Sequence, residues 1–135
     1  METSSPSPSA GFTFPLEPGS VYPVFHLLAD IGEFHGKQIY PTLSSHPLLV
    51  EGLTLFDTRG RRRILVANLT PEIQETKIKT GTCKALVRSL DETNAEEAMQ
   101  RPEAFREQRG NLADSVSGKI ELKLLPFALA RIDIE

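Results

Sequence analysis

Three histidines, one cysteine, a run of three arginines and a belt of acidic residues are what this chain of 135 residues offers for chemistry. His26 and His35 lie nine residues apart in one predicted helix, so they cannot share a metal at the (i, i+4) spacing that helical sites use. His46 precedes Pro47 in a loop, and all three read as surface or hydrogen-bonding residues. Cys83 follows Gly81 and Thr82 at the start of a predicted strand. A nucleophilic cysteine needs a base and an oxyanion hole, and the surrounding pattern supplies neither, so a half-buried packing role is expected. Arg61, Arg62 and Arg63 could meet phosphate or an acidic partner. Successive strand residues face opposite sides, however, so the expectation is solvated hairpin arginines that protect an edge.

The acidic residues Asp91, Glu92, Glu96, Glu97, Glu103 and Glu107 are interleaved with Arg101, Arg106 and Arg109. A glycosidase-like pair needs a cleft and one carboxyl with a raised pKa. Mixed charges on short helices read instead as a solvated face. Asn68-Leu69-Thr70 fits a glycosylation acceptor in pattern, but no secretory signal accompanies it. Asn68 is expected to turn the chain through its side-chain hydrogen bonds. With no tryptophan and two tyrosines, a sugar-stacking platform would have to rest on Tyr22, Tyr40 and Phe56. No catalytic, cofactor-binding or metal-ligating residue is expected.

Bulk properties narrow the class. A net charge of −3 argues against a nucleic-acid surface, which carries a basic excess. The longest apolar run is far short of the roughly 20 residues of a membrane-spanning helix. The opening METSSPSPSAG lacks the basic and apolar regions of a signal peptide. One cysteine leaves no disulfide framework, and the cytoplasm is the expected compartment.

The elements that must position these residues begin after a flexible Ser/Pro-rich lead, residues 1–12. A single domain is expected over 13–135. It opens with a helix over 20–36, capped by Ser20 and Gly36, with Pro23 in its first turn. Val21, Val24, Phe25, Leu27, Leu28 and Ile31 form an apolar stripe at helical spacing, with His26, Asp30 and Glu33 on the other side. Strands are expected over 37–40 (ending at Pro41), 48–56, 63–68, 73–80 and 83–90, then a helical insert within 92–108. Residues 110–117 read as a loop, and 119–124 with 128–134 as a closing hairpin. The fold class is therefore mainly β: an antiparallel sandwich of about six to eight strands with an N-terminal amphipathic helix and a short helical excursion.

The order YPVFHLLADIGEF, LLVEGLTLFDTRGRRRILVANLTPEIQETKI, VRSLDETNAEEAMQRPEAFR, LKLLPFALARIDI resembles the C-terminal region of D-apionate lactonases and related glycoside-hydrolase-like proteins. The resemblance spans Phe14 to Ile134. It implies a small β-sandwich that follows a (β/α)8 barrel, with YPVFHLLADIGEF similar to the last barrel helix. The family's catalytic carboxylates belong to the barrel, so none is carried over to this chain. The expected role is a non-catalytic accessory sandwich that braces a barrel or self-associates, with a carbohydrate-binding module as the alternative and a small stand-alone hydrolase behind it. The expected partner-packing face is Val21, Val24, Phe25, Leu28 and Ile31. No nucleic-acid or membrane partner is expected.

Overall fold

The structure, a computed structural model, describes residues 23–34, 38–42, 44–45 and 49–134. The lead at 1–12, the caps Ser20 and Gly36, and Val21, Tyr22, His35 and His46 lie outside the described residues.

Among the described residues, eight strands form two antiparallel sheets. In chain order they are β1 (Gln38–Thr42), β2 (Val50–Phe56), β3 (Arg62–Asn68), β4 (Gln74–Lys79), β5 (Lys84–Leu90), β6 (Asn111–Asp114), β7 (Lys119–Leu124) and β8 (Leu129–Ile134). The larger sheet runs β1-β2-β3-β8-β5-β6, and β4 pairs with β7 in the smaller one. Helix α1 (Pro23–Gly32) precedes the strands, and α2 (Ala95–Gln100) and α3 (Pro102–Glu107) follow β5.

The period-2 alternation of the strands divides the six-stranded sheet into two chemically different faces. On one, Ile64 and Val66 of β3, Ala85 of β5 and Ala130, Ile132 and Ile134 of β8 meet Ile78, Ile120 and Leu124 of the smaller sheet. This is the sandwich core, and each large buried aliphatic in it stabilises the fold by about 1.5–3 kcal/mol. On the other face, Leu55 and Leu65 pack with Phe34, Leu27 and Ile31 of the α1 region. Leu90 and Leu129 pack there with Ala95, Ala98 and Phe105 of α2 and α3. The result is three layers, with helices over one side of a sandwich.

Two turns show how the sequence sets the register. Asp57 Oδ1 accepts the backbone N–H groups of Arg59 and Arg61 at 2.9 and 2.8 Å, and Gly60 supplies φ +81° to close the β2–β3 hairpin. At the far end of β3, Asn68 is 2% exposed. Its Nδ2 donates to the carbonyls of Glu72 (2.8 Å), Leu125 (2.9 Å) and Leu124 (3.2 Å), and its Oδ1 accepts from Thr70 N (3.0 Å) and Oγ1 (2.8 Å). One buried side chain thus joins the β3–β4 turn to the β7–β8 connection through five hydrogen bonds.

Three expectations are corrected. β7 and β8 do not form a hairpin: β7 pairs with β4 and β8 lies between β3 and β5, because Leu125–Ala128 carries the chain from one sheet to the other. The stretch expected to be a loop contains β6, which pairs with β5. β1 also continues through Pro41, which an edge strand tolerates because one side of its ladder needs no N–H.

Candidate functional site

The helical face of the six-stranded sheet carries three arginines, and α3 adds a fourth. Arg88 on β5 and Arg131 on β8 stand directly opposite each other, and Arg63 on β3 lies two register positions along on the same face. Like charges at a cross-strand position repel, so this arrangement requires anions from another element. Helix α1 supplies them. Asp30, 4% exposed, accepts Arg88 Nη2 at 2.9 and 3.1 Å and Arg131 Nη1 at 3.1 Å, with Arg106 Nη1 of α3 at 2.6 Å. Glu33 takes Arg63 Nη1 and Arg106 Nη2, and Asp133 accepts Arg63 Nε and Nη2. Arg88 and Arg63 also lie over the rings of Phe105 and Phe34.

Burial weakens the hold of Arg88 on its proton: desolvation, partly offset by Asp30, lowers its pKa to about 10. For Arg63, desolvation is outweighed by the hydrogen bonds to Asp133 and Glu33, which raise its pKa. For Glu33, desolvation is likewise outweighed by hydrogen bonds from Arg63 and Arg106, which hold its carboxyl below the ordinary value. Arg63 was expected to be a solvated hairpin residue. It is 7% exposed and bridges α1 to β8, because its strand position faces the helices.

His26 is 1% exposed. Its Nε2–H donates to the Ala98 carbonyl at 2.7 Å, since a carbonyl can only accept. Its ring stands edge-on to Phe105, and Nδ1 has no hydrogen-bond partner among the described residues. Desolvation, with Arg106 and Arg88 nearby, lowers its pKa, so the imidazole is neutral.

These contacts fix which way α1 faces. Its polar residues His26 and Asp30 point into the protein, while Val24 (53%), Phe25 (43%) and Leu28 (61%) are exposed. Ile31 is half-buried and belongs with the Phe34 cluster, apart from the exposed three. Beneath α1 lies a cavity of about 320 Å³, lined by Leu53, Leu65, Leu90 and Leu129 with His26 and Arg88. It has the size of a small-ligand pocket. Of its polar lining, Asp30 is occupied by guanidinium groups and His26 Nε2 by a carbonyl.

The other sequence candidates stay apart. Cys83 is half-buried beside the sandwich core, with Sγ 3.3 Å from Thr80 Oγ1 and its backbone N–H on Ser115 Oγ. No group of three or more His, Cys, Asp or Glu residues suited to a metal occurs among the described residues. No helix among them is long and apolar enough to cross a membrane. The buried network was missed in the sequence because its charges are spread from Asp30 to Asp133. Its one available signal was the odd position of Arg88 and Arg131 on strands whose neighbours are apolar.

Comparison with known proteins agrees with this architecture. A search of the curated proteins finds no match. Among solved structures, AmyP in complex with maltotriose is similar, with TM-score 0.51 and 11% identity over 73% of this chain and 16% of that one. The chain thus spans a small part of that protein, and the likeness is one of fold. CelM2, a bifunctional glucanase-xylanase from a metagenome library, is found at TM-score 0.45 and 15% identity, over 63% of this chain and 15% of that one. The model of the D-apionate lactonase C-terminal immunoglobulin-like domain matches residues 47–132, from β2 to β8, leaving α1 and β1 ahead of the matched span. That span is more than half of the sequence and holds seven of the eight described strands, and the chain belongs to the family of D-apionate lactonase C-terminal immunoglobulin-like domains.

Proposed function

We propose that this chain is a non-catalytic accessory domain that braces a (β/α)8 catalytic barrel through the outer face of α1. The observation that carries the reading is the orientation of that helix. Asp30 ties α1 to three arginines of the sandwich and its helices, and Val24, Phe25 and Leu28 are left outward. A helix held by polar contacts on its inner side, with apolar residues outside, is built to join two bodies. The matched span begins after α1 and β1, and a helix on the N-terminal side of that span is in keeping with this reading. Self-association through the same face is the competing form. The cytoplasm is the compartment this reading assigns, in keeping with a single unpaired cysteine.

The test is to change Leu28→Glu and Phe25→Ser together and measure association with a family barrel by ultracentrifugation. Loss of association with an unchanged melting temperature supports bracing. Undiminished association removes it, and a wild-type homodimer broken by the changes favours self-association.

A carbohydrate-binding module is the second reading. Tyr40 is 46% exposed and stands edge-to-face with Phe56 at 5.7 Å, which offers one aromatic platform. Calorimetric titration with oligosaccharides that gives no heat would remove it.

A further inference from the structure

The end of the larger sheet where Arg62, Ile134 and Ala85 share one register row opens into a groove of about 370 Å³. Arg61, Arg62 and Arg63 all line it, although they alternate along the strand, because the groove wraps round the strand end where β3 begins. Lys84, Arg106, Arg109 and Arg131 complete its basic side, against the carboxylates of Glu33 and Asp133. Such a concentration of cations stands out in a chain of net charge −3.

Both carboxylates are already engaged by Arg63, Arg106 and Arg131. Arg61 pairs with Asp57. Three cations are left without an anion among the described residues. The Arg62 guanidinium donates only to the neutral Thr80 carbonyl. Lys84 and Arg109 are exposed, and Asp114 across the strand from Lys84 makes no ion pair with it. Beside them Leu112 is 79% exposed, opposite half-buried Leu86 on β5.

We propose that this groove docks an acidic polypeptide segment that carries an apolar side chain. Exposed lysine and arginine bind a single small ion weakly, because each contact is screened by water and salt. A segment that reaches Arg62, Lys84 and Arg109 together gains all three contacts in one event, and its apolar residue covers Leu112 and Leu86. An extended nucleic acid fits less well. Among the aromatics, only the buried Phe34 lines the groove, and the protein beyond it is acidic overall.

The test uses the full chain and a labelled peptide of glutamates around a central leucine, followed by fluorescence anisotropy. Its glutamine counterpart, citrate and a single-stranded oligonucleotide serve as comparison probes. The expected result is binding of the acidic peptide at about millimolar or tighter, weakened at least about tenfold by Lys84→Glu with Arg109→Glu. Leu112→Ser weakens the peptide several-fold and leaves citrate unchanged. These residues are exposed, and circular dichroism melts serve to check that the variants fold. No binding of the acidic peptide overturns the proposal. So does equal binding of the glutamine peptide or by the charge-reversed variant, and so does tighter binding of citrate or the oligonucleotide.

Discussion

Replacing Asp30 by asparagine removes the carboxylate that stands between Arg88 and Arg131. The shape is kept, but two buried guanidinium groups are left opposite each other on adjacent strands, with Arg106 beside them. Asp30 and Arg88 are 4% and 5% exposed, so water screens little of the change. Breaking a buried pair by removing one partner costs about 3–5 kcal/mol. That is a large part of the roughly 5–15 kcal/mol that holds a domain folded. At roughly 4 °C per kcal/mol for a domain of this size, the midpoint should fall by about 12–20 °C. Urea unfolding followed by far-ultraviolet circular dichroism measures the loss as a shift in midpoint at constant slope. Glu121→Gln, which breaks the exposed 3.8 Å pair with Lys77, is the control and should change stability by less than about 0.5 kcal/mol. An Asp30→Asn loss below about 1 kcal/mol would refute the claim that this carboxylate seats α1.

Other outcomes follow from the same geometry. Asn68→Ala should cost about 3 kcal/mol, read from the shift in urea midpoint, because it removes at once the hydrogen bonds of a buried amide to two connections. Gly110→Ala should be far worse than Gly60→Ala. A Cβ at Gly110 (φ +100°) would lie 2.3 Å from the Val87 carbonyl oxygen, while Gly60 (φ +81°) faces open space and should cost about 1–2 kcal/mol for its backbone alone. Stability should fall as pH drops just below 6.5. The unfolded chain then binds a proton at His26 that the folded chain, with its lowered pKa, refuses, so His26→Gln should flatten that part of the profile. Glu33 acts in a lower window: its folded pKa lies below 4.5, so its contribution is present above that value and is lost as pH falls through the folded pKa. Glu33→Gln should remove that acid-side loss.

Local chemistry was enough to place much of this protein. The strands and their turns follow from alternation and from Asp57, Gly60 and Asn68, which act on neighbours a few residues away or on carbonyls that any fold would have to satisfy. The helical excursion follows from the change of period after Asp91 and from Pro102 at the start of α3. The split of α1 into an apolar and a polar side was equally legible. Which side turns inward was not. Burying His26 and Asp30 is unfavourable until Arg88, Arg131 and Arg106 are brought together from parts of the chain 58, 101 and about 76 residues away. Only the tertiary structure assembles those cations. It turns a helix that looks ready to bury Val24, Phe25 and Leu28 into one that displays them. The same holds for the groove at Arg62 and Lys84, whose residues come from separate stretches of the chain and meet only because β3 and β5 begin where β8 ends.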